Sequence, residues 1–144
     1  MRLIKSILAD AAAIAAVRRD IHAHPELCFE EKRTSDVIAK QLTDWGIPIH
    51  RGLGTTGVVA ILKNGSSDRA VGLRADIDAL PMTEHNTFAH ASKHPGKMHS
   101  CGHDGHTAML LAAARPGRHP RLRRLPAPGL SAGRRGPGWR PQDA

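Results

Sequence analysis

Cysteine is scarce in this 144-residue sequence, which contains only Cys28 and Cys101. Two thiols cannot build the disulfide framework of a small secreted domain, and a reducing cytoplasm suits them better. The sequence also lacks an apolar run of transmembrane length. These absences predict a cytoplasmic protein with no membrane partner.

The N-terminal stretch resembles a signal peptide only faintly. Asp10 interrupts its alanine-rich segment, where a signal peptide would be continuously apolar. The larger apolar residues instead share one helical face: Ile7, Ile14, Val17 and Ile21. The pattern therefore predicts an amphipathic helix from about Ser6 to His22, which Pro25 ends.

Acidic residues are nearly absent from the last fifth of the chain. Residues 116–144 hold one of the 13 acidic residues, seven of the 21 basic residues and six of the ten prolines. Residues 1–115 therefore carry only +2 of the formal net charge of +8. A basic tail of this composition is typical of a disordered arm that binds nucleic acid or another anionic surface. That alternative stays open on composition alone.

The order of predicted elements indicates an α/β protein with one sheet and no internal repeat. A second helix is expected to start at a cap residue, Thr34 or Ser35, and to end at Gly46. Two buried strands are expected over residues 58–62 and 70–74, and a third helix over residues 108–114. Carboxylates follow the second strand, where open α/β sheets place their chemistry: Asp76 and Asp78.

The strongest local signal is the segment 98–107, which contains a thiol, three imidazoles and a carboxylate. Thiolate and neutral imidazole bind divalent transition metals, and a carboxylate can hold an imidazole in place. A structural zinc site needs a second Cys/His pair, and none follows. The segment therefore predicts half of a larger catalytic metal centre, with Asp76 and Asp78 as nearby partners. A metal-free polar loop and a small zinc knuckle are the alternatives.

Histidines elsewhere are weaker candidates. His22 and His24 could form a ligand pair, but they close a helix before a proline, which favours a structural or substrate-side role. The other histidines of the polar loop are interpreted as solvated: His85, His90 and His94.

Four ordered blocks carry a resemblance to a known family. They are residues 18–31 (RRDIHAHPELCFEE), 54–60 (GTTGVVA), 73–82 (LRADIDALPM) and 98–107 (MHSCGHDGHT). These blocks resemble the N-acyl-amino-acid amidohydrolases, including the hippurate hydrolases, of the co-catalytic metal-dependent carboxypeptidase and aminoacylase superfamily. Residues 1–115 then look like a partial, N-terminal half of a mixed-sheet, zinc-peptidase-like catalytic domain.

The resemblance implies a metallo-amidohydrolase that cleaves the amide bond of small N-acyl amino acids. Cys101 and His103 match metal ligands of the family, in a site that holds two divalent ions, zinc or manganese. Asp76 matches a strand-end aspartate that orients a metal-binding histidine in sister branches. Arg74 replaces that histidine here, which leaves Asp76 as a candidate catalytic residue without the orienting role. Other matched positions are expected beside the ligands or on the substrate side: Asp104, His106, Asp78 and His22.

The family's general base is a glutamate in a Gln-Pro-Ala-Glu-Glu-Gly block, which this chain lacks. Reading synonymous codons for the tail one nucleotide later yields Phe-Gln-Pro-Ala-Glu-Glu at about the expected distance. We therefore interpret residues 116–144 as an out-of-frame, disordered tail. On this interpretation the 144-residue product is poorly folded and inactive, no nucleic acid is bound, and complete family members are homo-oligomers.

Overall fold

The computed structural model describes residues 5–63, 70–115 and 128–130. This part of the chain contains three helices: α1 (Lys5–Ala23), α2 (Lys32–Asp44) and α3 (His103–Ala114). It also contains four strands: β1 (Ile49–Leu53), β2 (Gly57–Ala60), β3 (Leu73–Ala75) and β4 (Pro128–Leu130). None of the described helices has the length and apolar character needed to cross a membrane.

The strands form one mixed sheet in the order β1-β2-β4-β3. β1 and β2 are antiparallel with Ile49 opposite Ala60, and β4 lies antiparallel to β2 but parallel to β3. Helices beside a single mixed sheet confirm the predicted α/β class. The observed strand bounds differ from the predicted ones, since β2 ends at Ala60 and β3 is only three residues long.

The core lies where α2 and α3 cover the sheet. Its buried residues come from both helices, from the strands and from the segments before β1 and after β3: Ile38, Leu42, Ile47, Val58, Ala60, Ala75, Ile77, Leu110, Leu111 and Ala114. On α2 the buried positions Ser35, Ile38 and Leu42 recur at helical spacing. α1 packs against α3 from outside this core.

The end of α2 is where the glycine pattern predicts it, but its start is not. Gly46 has φ +71°, and its N–H donates to the Thr43 carbonyl while that of Ile47 donates to Leu42, as in a Schellman motif. At the other end, neither Thr34 nor Ser35 is the cap, because α2 begins earlier, at Lys32. The Glu26 carboxylate accepts the N–H groups of the first turn instead.

α3 begins earlier than the alanine-rich run predicts. It starts at His103, so half of the metal-like segment forms the first turn of a helix instead of a loop. Gly102 precedes it with φ +78°, a left-handed conformation that side chains rarely adopt. The glycine thus turns the chain sharply between Cys101 and His103.

The predicted tail, residues 116–144, lies mostly outside the described residues, so its interpretation as out of frame and disordered stays a prediction. Its three described residues, Pro128–Leu130, form β4 between β2 and β3.

Candidate metal centre

Two isolated bridges fix the segment after β3, one to the link between α1 and α2 and the other to the residues before α3. Leu27 pairs with Ala79, and the Ala79 N–H donates to the Glu26 carbonyl at 2.7 Å. Leu80 and Met98 exchange two backbone hydrogen bonds of 2.9 and 3.0 Å. These bonds place Asp78 beside the turn that carries the candidate ligands.

His103 is held by Asp78. Its Nδ1 lies 2.9 Å from the Asp78 carbonyl oxygen and 3.0 Å from Asp78 Oδ1. Both oxygens are acceptors, so Nδ1 carries the hydrogen and Nε2 keeps the free lone pair. A carboxylate that fixes the tautomer of an imidazole in this way is the usual support of a metal-binding histidine.

Cys101 is a free, exposed cysteine on the other side of Gly102 from His103. A thiol and an imidazole with a free lone pair suit a divalent ion of the zinc type. Within the described ranges, no three Cys, His, Asp or Glu side chains come close enough together to hold a metal ion. Cys101 and His103 therefore stay candidate ligands whose chemistry fits such an ion.

Asp76 is placed differently from Asp78. Arg74 Nη2 donates to Asp76 Oδ1 at 2.7 Å, and the Asp76 carbonyl accepts a hydrogen bond of 3.3 Å from the Thr107 hydroxyl. The side chain that holds His103 is therefore that of Asp78, and the Asp76 carboxylate is paired with the arginine. His106 is exposed, with its ring centroid 5.7 Å from that of His103.

Asp104 belongs to a second, buried cluster with His22. His22 Nδ1 lies 2.9 Å from Asp104 Oδ2, and Arg18 Nε donates to the same oxygen at 2.9 Å. Burial opposes ionisation of Asp104, but the hydrogen bond from His22 and the Arg18 charge outweigh it, so its pKa lies below the ordinary value.

The other ring nitrogen of His22 contacts Glu84. His22 Nε2 lies 3.2 Å from Glu84 Oε1, and the second carboxylate oxygen accepts the Ser92 N–H at 2.6 Å. Burial acts to raise the pKa of Glu84, yet hydrogen bonds from Asn86, Ser92 and His22 hold it below the ordinary value. Glu84 therefore ties the loop 84–92 to α1.

His99 lies close to both clusters and is buried. Its ring centroid is 6.2 Å from that of His22, and neither of its ring nitrogens has a hydrogen-bond partner in the described part of the chain. Burial lowers the pKa of His99 to about 4. The imidazole is therefore neutral near pH 7.

The sequence pattern gave individual roles to His22, Asp78 and Asp104 but not to Arg18 or Glu84, and it included His99 only as one of the three imidazoles of residues 98–107. Arg18 had a signal, because it lies four residues before His22 on the same helical face. Glu84 had none, since it is separated from His22 by 62 positions and meets it only in the folded chain.

Comparisons with known proteins find a family and several similar proteins. Residues 72–118 match the model of peptidase family M20/M25/M40. The chain is 45% identical over 115 residues to a hippurate hydrolase of Campylobacter jejuni, covering 80% of this chain and 30% of that protein. It is 47% identical over 115 residues to an N-acyl-L-amino acid amidohydrolase of Geobacillus stearothermophilus, covering 79% and 30%.

A solved structure from Bacillus subtilis, described as a dinuclear metal binding peptidase from the M20 family, superposes with a TM-score of 0.77. That match has 36% sequence identity and covers 85% of this chain and 34% of the other. The fold of the described residues is thus similar to part of that metallopeptidase. The chain is similar to members of peptidase family M20/M25/M40, whose model matches residues 72–118. It spans 30% of the length of the two curated relatives.

Proposed function

We propose that this chain is part of a metal-dependent amidohydrolase that cleaves the amide bond of N-acyl amino acids. The observation that carries the proposal is the pairing of His103 with Asp78 beside the exposed Cys101. Two relatives named for such chemistry, a hippurate hydrolase and an N-acyl-L-amino acid amidohydrolase, support the substrate class. The small-molecule N-acyl amino acid is the expected partner.

In this proposal Cys101 and His103 hold a divalent ion, zinc or manganese, within a site that takes two ions when complete. A bound ion would polarise the scissile carbonyl and acidify a water for attack. Asp78 keeps Nε2 of His103 available, and Asp76 is the candidate catalytic residue of this chain. His106, Asp104 and His22 are proposed to lie beside the metal ligands or on the side of the site that faces the substrate.

The same proposal extends to the location, the partners and the oligomeric state of the protein. Neither Cys28 nor Cys101 is in a disulfide, which is compatible with a reducing cytoplasm. No nucleic-acid partner is proposed. Most of the net positive charge lies in residues 116–144, which we interpret as an out-of-frame tail. The complete protein is proposed to be a homo-oligomer.

We also infer that residues 116–144 are read from a shifted frame. β4 supports this, because Pro128 and Gly129 are poor residues for a strand that is paired on both sides. With the synonymous codons that yield Phe-Gln-Pro-Ala-Glu-Glu, the three β4 positions read Leu-Val-Phe. Those are good strand residues, directly before the missing block.

Resequencing the gene from codon 110 through several hundred nucleotides beyond the stop tests the shifted frame. A second frame that continues through Gln-Pro-Ala-Glu-Glu into further histidine blocks is the expected result. The absence of any such frame would overturn the inference and favour a genuine basic tail. That tail would then give nucleic-acid affinity that salt weakens and that deletion of residues 116–144 abolishes.

The activity is tested with the frame-restored protein. We expect metal-dependent release of benzoate from hippurate or of acetate from an N-acetyl amino acid, and none from the 144-residue product. A folded, zinc-loaded or manganese-loaded restored protein that hydrolyses no N-acyl amino acid would overturn the proposed function.

A further inference from the structure

We propose that His22 is a positioning residue that fixes the metal-binding turn of α3 through Asp104. The inference rests on the proposed function, because it concerns how Cys101 and His103 are presented to a metal ion. It adds a residue of α1 that lies outside the candidate ligand pair.

The contact between His22 and Asp104 is short and buried. The two side chains are 2.9 Å apart at Nδ1 and Oδ2, with 6% of the His22 side chain and none of the Asp104 side chain exposed. A buried hydrogen bond to a charged group contributes more than an exposed one, and losing one partner leaves the other unsatisfied. Moving Asp104 from this position would therefore cost free energy, because it would leave a buried partner unsatisfied.

Arg18 holds the same oxygen but is a weaker anchor. It donates to Asp104 Oδ2 at 2.9 Å, yet 45% of its side chain is exposed to solvent. Solvent screens the exposed guanidinium and weakens its hold on the carboxylate relative to a fully buried contact. The buried imidazole is therefore the main restraint on the Asp104 carboxylate.

Asp104 passes this restraint to the ligands because it directly follows His103. The two side chains anchor the first turn of α3 on different elements, Asp104 on α1 and His103 on Asp78. Cys101 is joined to that turn through Gly102, whose φ is +78°. Release of Asp104 would leave the turn held on one side only.

The other ring nitrogen of His22, Nε2, makes a contact that can be compared with the one made by Nδ1. Nε2 contacts Glu84, which anchors the loop 84–92 and not α3. Replacing His22 by asparagine keeps a side-chain amide near Nδ1, toward Asp104. Glutamine instead places its amide near Nε2, toward Glu84. Each variant keeps one of the two contacts.

The experiment uses the full 144-residue chain and zinc protection of its thiols. Alkylation of Cys101 by iodoacetamide is followed by peptide mass spectrometry during a zinc titration, with the half-buried Cys28 as internal reference. We expect His22→Gln to raise the zinc midpoint for Cys101 protection by about 10-fold or more, and His22→Asn by less than about 3-fold. His24→Ala is the control, because that ring contacts the Asp20 carbonyl of its own helix.

A purely structural role would lower the melting temperature in both His22 variants and would not separate their zinc midpoints. Equal midpoints for His22→Gln and His22→Asn would therefore overturn the inference. A wild-type chain in which zinc gives Cys101 no protection would contradict the metal centre itself. The two failures are distinguishable.

Discussion

At the scale of single residues, the site is organised by pairs of an imidazole and a carboxylate. Asp78 holds Nδ1 of His103, and Asp104 accepts from Nδ1 of His22. In each pair the carboxylate sets which ring nitrogen is occupied and how the ring is oriented. That the 98–107 segment supplies metal ligands stays a prediction from its residue types. Which carboxylate meets which ring could not be predicted, because it depends on chain segments that are distant in sequence.

The pairing of His103 with Asp78 leads to a testable difference between two nearby aspartates. We expect Asp78→Asn to weaken zinc protection of Cys101 about 10- to 100-fold, because the imidazole loses its carboxylate partner. Asp76→Asn should change the zinc midpoint less than about 3-fold, since Asp76 pairs with Arg74. The same thiol-alkylation titration measures both variants. A larger effect at Asp76 would show that the orienting role belongs to that residue instead.

Glu84 makes the anchoring of its loop dependent on pH. Its hydrogen bonds hold its pKa in the folded chain below the ordinary 4.5, so the unfolded chain takes up the proton first as pH falls. The stabilisation is thus present above pH 4.5 and is lost as pH falls through the folded pKa. We expect Glu84→Gln to lower the melting temperature at pH 7, with a difference from wild type that shrinks below pH 4.5. A difference that stays constant down to pH 3 would contradict this.

At the scale of elements, the spacing of apolar residues predicted that the helices form, but it did not predict the residues at which α2 and α3 begin. The end of α2 followed from Gly46, whose left-handed φ suits a residue without a side chain. Its start could not be predicted, because the Glu26 carboxylate accepts the N–H groups of Arg33 and Thr34 from outside the helix, at 3.0 and 2.7 Å. The start of α3 was missed because a glycine before several polar residues normally indicates a loop.

The Glu26 carboxylate therefore acts as the cap of α2. We expect Glu26→Ala to lower the free energy of unfolding by about 1 kcal/mol, in the range of a lost helix cap. Glu30→Ala is the matched control, because Glu30 makes an exposed ion pair with Lys97 and should contribute less than about 0.5 kcal/mol. Urea unfolding followed by circular dichroism compares the two. Equal losses would mean that the carboxylate does not cap the helix.

At the scale of the whole molecule, the described chain has a real core and several exposed apolar side chains. α2, α3 and the sheet bury ten residues in one cluster. Large apolar side chains on or beside the strands remain exposed: Leu53, Ile61, Val71 and Leu73. These side chains gain little from burial, so the stability of the described chain is expected to be at the low end for a domain.

A single core residue contributes a large share of a domain's small net stability, and Leu111 gives the clearest test of this. It is fully buried between α3 and the sheet, whereas Met109 on the same helix is 63% exposed. We expect Leu111→Ala to cost about 2–5 kcal/mol and Met109→Ala to stay within about 0.5 kcal/mol. Urea unfolding of both variants measures the contrast. If the two losses were equal, α3 would not be packed on the sheet, and the turn carrying Cys101 and His103 would have no rigid support.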